Sequence, residues 1–136
     1  MNQLKASVLR TLGALIAGGL VACADTRDAP QAPPVALHIQ APGFGVSGTF
    51  LEVNVGTTLN LEALPIAADS TLLGSAVTAA WQSSDTTVAT ITNKGVFESK
   101  CVGAVTVTAV ADIGGHTVSG SIPVGVGTTA GKCALP

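Results

Sequence analysis

Thiols, imidazoles and carboxylates are sparse in this chain of 136 residues, so the chemistry open to it can be worked through residue by residue. Cys23, Cys101 and Cys133 offer thiols as nucleophiles or disulfide partners. His38 and His116 lie far apart in sequence, neither has zinc-type spacing, and no carboxylate run resembles a calcium loop. No metal and no other cofactor is expected. Ser83, Ser84 and Asp85 set hydroxyls beside a carboxylate, but with no nearby His to take the proton they do not make a nucleophile. Gly45-Val46-Ser47-Gly48 misses the Gly-x-Ser-x-Gly elbow. Gly43-Phe44-Gly45 and Gly125-Val126-Gly127 lack the strand–helix context of nucleotide loops and read as bends. No catalytic residue is assigned, and the chain reads as a protein that is not an enzyme.

Composition narrows the partners further. Only 10% of residues are charged and the net charge is −2, which excludes a polyphosphate-binding patch. Three Phe, one Trp and no Tyr are too few for a base-stacking surface, so no nucleic-acid partner is expected. The length bounds the chain to one domain with a core of modest size.

The first thiol closes a segment of distinct composition. Lys5 and Arg10 form a basic head, and residues 11–22 (TLGALIAGGLVA) follow without a charge. That run is shorter than the ~20 apolar residues a membrane-spanning helix needs. Gly13, Gly18 and Gly19 weaken it further as a permanent helix, and residues 1–22 read as a secretory signal peptide.

Leu20-Val21-Ala22-Cys23 resembles the bacterial lipobox, in which aliphatic and small residues precede an obligatory Cys. The resemblance implies that Cys23 takes a diacylglycerol thioether, that the signal is cut before it, and that the new amine is acylated. Three acyl chains satisfy the requirement of more than one anchor for stable attachment. Residues 23–34 then form the acylated Cys and a polar, Pro-rich tether, which at ~3.3 Å per extended residue holds the domain within about 35 Å of a bilayer. Ala24 follows Cys23 where Asp would favour retention, so by analogy with enterobacterial sorting the outer membrane is the expected location. Beyond residue 22 four basic and eight acidic residues remain, a net charge of −4, which disfavours binding to anionic headgroups by charge alone.

The rest of the chain alternates. Val35, Leu37 and Ile39 share one face; so do Leu51, Val53 and Val55, then Leu59, Leu61 and Ala63, then Val77, Ala79 and Trp81. Val105, Val107 and Ala109 alternate with Thr106 and Thr108, and Val118, Gly120, Ile122, Val124 and Val126 end the pattern. Period-2 alternation with β-branched residues is the signature of antiparallel strands with one wet face. Gly56-Thr57, Asn93-Lys94-Gly95 and Gly114-Gly115 separate the runs as turns. The reading is all-β, an antiparallel β-sandwich of about seven or eight strands over residues 35–127, following the signal peptide and tether. Pro123 cannot donate to a ladder, so its position predicts an edge or a bulge. Residues 41–48 and 66–76 are the longest stretches without alternation; they read first as plain connections, and as the contact loops if the domain binds a partner.

One stretch carries a family resemblance. Trp81-Gln82-Ser83-Ser84-Asp85-Thr86-Thr87-Val88-Ala89-Thr90-Ile91 is followed by Asn93-Lys94-Gly95-Val96-Phe97 and Gly103-Ala104-Val105-Thr106-Val107-Thr108-Ala109. The order of Trp, Ser-Ser-Asp turn, Val-Ala-x-Ile strand and Gly-Val hairpin resembles the bacterial immunoglobulin-like domain of group 2, found also in intimin- and invasin-type adhesins. Val55 to Leu61 resembles the family's early motif. The resemblance implies an immunoglobulin-like sandwich whose motif residues are Trp81, Ser84, Asp85, Val88, Ile91, Gly95 and Gly103. Trp81 then reads as the main core anchor, Ser83 to Asp85 as a self-bonded turn, and Gly95 as a positive-φ hairpin residue.

The cysteines depart from the family pattern. With Cys23 acylated in an oxidising compartment, Cys101 and Cys133 are the thiols left to pair, and a disulfide between them would pin the tail at residues 128–136. The function implied is a non-catalytic, lipid-anchored envelope module for protein or glycan interaction or adhesion. The alternative is a small ligand-binding lipoprotein or an accessory subunit of an envelope complex.

Overall fold

The computed structural model describes residues 31–44, 49–128 and 133. The signal peptide, the lipidation position Cys23, tether residues 24–30, and tail residues 129–132 and 134–136 lie outside the described residues. The strands all fall in one compact unit, Ala32–Pro136.

Nine strands and no helix occur among the described residues. They are β1 (Ala36–Gln40), β2 (Leu51–Asn54), β3 (Thr58–Asn60), β4 (Glu62–Ile66), β5 (Ala80–Ser83), β6 (Ala89–Ile91), β7 (Val96–Ser99), β8 (Gly103–Ile113) and β9 (His116–Gly127). The larger sheet runs in the order β2-β9-β8-β5. The facing layer consists of β3-β7-β6 and β1-β4. Leu61 alone separates β3 from β4, and its N–H donates to the Gly95 carbonyl at 2.8 Å, so one nearly continuous segment serves both sets.

The alternation read from the sequence is what closes the sandwich. In β8, Val105, Val107, Ala109 and Ala111 are buried while Ala104, Thr106, Val110 and Asp112 are exposed. In β9, Val118, Ile122, Val124 and Val126 turn inward. Leu37, Ile39, Leu59, Leu61, Ala63 and Phe97 meet them from the other layer. Gly120 belongs to the same inward set, and its missing side chain has a reason: a Cβ there would collide with the Leu37 carbonyl, its carbon 2.8 Å away. Bare backbone at 120 lets β1 cross close to β9.

Three details differ from, or sharpen, the sequence reading. The sandwich is not antiparallel throughout, because β2 runs parallel to β9 with Leu51 opposite Val124 and Asn54 opposite Gly127. An alternating pattern marks one-sided burial and is blind to chain direction, so it could not show this. Pro123 pairs with Thr106. The Thr106 N–H and C=O are both bonded to Ser84, on the β5 side. The Pro123 nitrogen therefore faces away from β8, on the side of β9 where β2 begins to pair at the next residue, Val124.

The third detail is a correction. Trp81 is only half-buried and packs at the margin of the core, its ring 3.3 Å from where a Gly95 Cβ would stand. Phe97 is the largest fully buried side chain. The reason is position in the sheet: Trp81 lies on β5, the outermost strand of its sheet, and pairs with Ala109 of β8, whereas Phe97 lies on β7 between β3 and β6.

Phe97→Ala is expected to cost about 3–5 kcal/mol of unfolding free energy in urea titration. Trp81→Ala should cost less than Phe97→Ala, since part of Trp81 is already exposed in the native state. A larger loss at Trp81 than at Phe97 would contradict this placement of the core.

Candidate functional site

The motif residues Trp81, Ser84, Asp85, Val88, Ile91, Gly95 and Gly103 come together around the β5–β6 and β6–β7 connections, and each is occupied with holding backbone. The Asp85 Oδ1 accepts from the Thr87 hydroxyl at 2.6 Å and the Thr87 N–H at 2.9 Å. Ser83 Oγ donates to the Ala89 carbonyl at 2.7 Å, across the turn. Ser84 Oγ accepts from the Thr106 N–H while its own N–H donates to the Thr106 carbonyl, extending the β5–β8 ladder by one rung. The two bonds from Thr87 hold the Asp85 carboxyl below the usual carboxylate range, and the hydroxyl and N–H of Thr71 do the same to Asp69. Both acids are exposed and spent on local turns, so neither is poised as a base.

Gly95 has φ +78° and closes the hairpin after Thr92, whose carbonyl accepts from the Gly95 N–H. The positive φ read from the sequence is present. Gly103 serves a different purpose. A Cβ there would lie 2.9 Å from Val88 Cγ2, so the glycine makes room for Val88 under the start of β8. Val88 also offers its carbonyl to the N–H groups of Lys100 and Cys101. Ile91, at the end of β6, packs half-buried against the core opposite Phe97.

Cys101 and Cys133 form a disulfide, with Cα atoms 4.9 Å apart and a sequence separation of 32. It ties the β7–β8 loop to residue 133 of the tail. A residue that pattern reading passes over is Ser99, the one buried polar side chain of the described core. Its Oγ donates to the Asn54 carbonyl at 2.6 Å and accepts from the Thr57 N–H at 2.9 Å. It thereby joins the end of β7 to the β2–β3 turn. No spacing rule marks a lone Ser in a strand; only the proximity of two chain segments gives it these partners.

The two loops expected to carry contacts are less informative than one sheet end. Residues 45–48 of the first loop lie outside the described residues. The second loop is pinned by an Ile66–Leu72 bridge and the Asp69–Thr71 turn, and it leaves Leu72 exposed. His38 lies on β1 opposite Leu64, and His116 lies at the far hairpin opposite Ile113. No group of three His, Cys, Asp or Glu residues able to hold a metal occurs among the described residues.

A groove of about 600 Å³ opens where β2, β9 and the start of β8 meet. Glu52, Asn54, Val102, Gly103, Gly125 and Gly127 line it, with Val53 and Val126 at its base. Its rim loop is the one held by the disulfide. This arrangement can bind, but it brings together no nucleophile with a base. Sequence reasoning misses it, because Gly125-Val126-Gly127 reads there as a bend.

A family model described as bacterial Ig-like domain (group 2) matches residues 41–122, more than half of the chain, and spans every motif residue named above. No curated protein matches the sequence.

Two outcomes follow from this geometry. Asp85 and Asp69 have native pKa values below their ordinary 3.8. Their contribution to stability is therefore complete above that value and is lost as pH falls through the lowered native one. Melting temperature should fall as pH drops below 3.8, and Thr87→Val should flatten part of that fall by removing the hydroxyl donor. An unchanged pH profile in the variant would reject the role given to Thr87. Reduction of Cys101–Cys133 should lower the unfolding free energy by about 3–4 kcal/mol on the chain-entropy account, read as the difference between denaturant curves with and without reductant.

Proposed function

The chain belongs to the bacterial immunoglobulin-like domain family of group 2, and from that premise we propose that it is a non-catalytic interaction module held at the cell envelope by lipid on Cys23. The observation that carries the non-catalytic part is the use made of the motif residues. Ser83, Ser84 and Asp85 are consumed by turn and ladder hydrogen bonds, and Trp81, Gly95 and Gly103 by packing. A site for chemistry needs polar groups left over for a substrate, and the family motif leaves none.

The envelope reading rests on the sequence. The basic head, the short apolar run and Leu20-Val21-Ala22-Cys23 support export and acylation, and Ala24 supports the outer membrane. The polar, Pro-rich residues 24–34 support a short spacer, so the module would act within about 35 Å of the bilayer rather than at long reach. The partner class is an envelope protein or a glycan. The groove beside β2 and β9 supports the ligand-binding form of this reading, and the disulfide supports an oxidising compartment.

Cell fractionation of the whole chain tests the anchor. Wild-type protein should sediment with membranes and carry acyl mass on Cys23, while Cys23→Ser should appear in the soluble fraction with its signal uncut or cut elsewhere. Membrane retention of Cys23→Ser without acyl mass on the wild type would overturn the lipid anchor.

A further inference from the structure

We infer that the groove at the β2–β9 end of the larger sheet is a binding site for a neutral saccharide, with Phe50, which flanks the groove over Gly125, as platform and Glu52 and Asn54 as polar contacts. The inference deepens the interaction-module reading and rests on it.

The outward face of β2 is built by its alternation. Leu51 and Val53 point into the core, so Glu52 and Asn54 point out, and Phe50 precedes them on the same side. Parallel pairing sets Gly125 beside Glu52 and Gly127 beside Asn54. Val124 and Val126 turn inward, so the bare positions 125 and 127 face the groove. Neither glycine has a left-handed φ, so backbone conformation does not demand glycine there. At Gly125 a Cβ would strike the Phe50 ring at 2.8 Å, which places that ring over the strand. At Gly127 a Cβ would make only ordinary contacts, with the Val53 carbonyl at 3.9 Å and the Asn54 side chain at 4.0 Å, so a side chain is not excluded there. Glycine inside a strand weakens it and marks close approach of a ligand or another backbone. The backbone that approaches Gly127 is β2 itself, through the Val53 carbonyl and the Val55 N–H, and neither would clash with a side chain there.

The side chains then select the ligand. Phe50, whose ring lies on Gly125 at the margin of the groove, is 41% exposed, and Val102 in its lining is 48% exposed. An aromatic face carries negative charge density and attracts the weakly positive C–H bonds of a sugar ring. The Glu52 carboxylate accepts hydrogen bonds, and the Asn54 carboxamide both donates and accepts, as vicinal hydroxyls require. Neither side chain has a hydrogen-bond partner among the described residues. No Lys or Arg lines the groove, and the charge of −4 beyond residue 22 opposes a polyanion. The volume lies within the range of small-molecule sites.

An added peptide strand fits less well. Val55 N–H bonds to Gly127 on β9, so by alternation the outer edge of β2 is offered by Glu52 and Asn54. The Asn54 carbonyl is already taken by Ser99 Oγ and the Thr57 N–H, which leaves too short a ladder for strand addition.

The test uses the full chain in detergent and neutral oligosaccharides of glucose, mannose and N-acetylglucosamine as probes. At least one series should bind saturably in calorimetry and shift the amide signals of Glu52, Asn54, Gly125 and Gly127. Phe50→Ala, and Gly127→Val which fills the groove, should each weaken binding at least about tenfold, while His116→Ala at the far hairpin leaves it unchanged. If Gly127→Val misfolds, the amide shifts in the wild-type chain still decide. No saturable binding, affinity indifferent to Phe50, or binding of a basic peptide in place of sugar would overturn the assignment. Capture of an envelope protein by wild type and Phe50→Ala alike, with no sugar bound, would also overturn it while leaving the interaction-module reading standing.

Discussion

The register between β8 and β9 is the constraint on which the rest of the domain depends. Their pairing runs without a break from Gly103–Val126 to Ile113–His116. A slip of β8 by one residue against β9 would turn Val105, Val107 and Ala109 to water and bring Thr106 and Thr108 inside. Because burial forbids that slip, the hairpin is a fixed ruler. β5 reads its position from β8, β2 reads its position from β9, and β1 crosses β9 at Gly120. The Gly114–Gly115 tip, with both φ values positive, closes the ruler at one end, and the Gly115 N–H bond to Asp112 seals the turn.

That ruler also places the groove. β2 begins to pair only at Val124, immediately after Pro123 has interrupted the donors on that side of β9. The proline therefore sets where the parallel strand starts, and so which of its residues stand beside Gly125 and Gly127. Ser99 and the disulfide hold the surroundings: Ser99 fixes the β2–β3 turn from the opposite layer, and Cys101 fixes the loop that carries Val102. The Ser99 bonds and the disulfide both restrain this sheet end, and restraint before binding lowers the ordering cost of recognition.

Much of this is legible in the sequence, and what is not has identifiable causes. The strand faces at Leu51–Val53, Leu59–Leu61–Ala63 and Val105–Ala109 can be read because period-2 burial leaves a local imprint on the chain. The Ser83–Asp85 turn and Gly95 can be read because their partners are a few residues away. Trp81 is misplaced by such reading because bulk and aromaticity say that a side chain prefers burial, not which strand stands in the middle of a layer. Ser99 and the groove escape it because their meaning depends on residues more than forty positions distant, Asn54 for Ser99 and Gly127 for the groove.

By itself the sequence determined the class of the fold and the family resemblance, and it carries the lipobox-like segment on which the envelope proposal rests. These are properties of local order and composition, and they need no neighbour from elsewhere in the chain. Tertiary structure alone decided that β2 runs parallel to β9, that Phe97 and not Trp81 centres the core, that Ser99 ties two segments together, and that bare backbone at Gly125 and Gly127 lies beside Phe50, Glu52 and Asn54. Those facts arise only when strands distant in sequence are brought within hydrogen-bond and van der Waals reach, which is where a glycine ceases to be a bend and becomes a space.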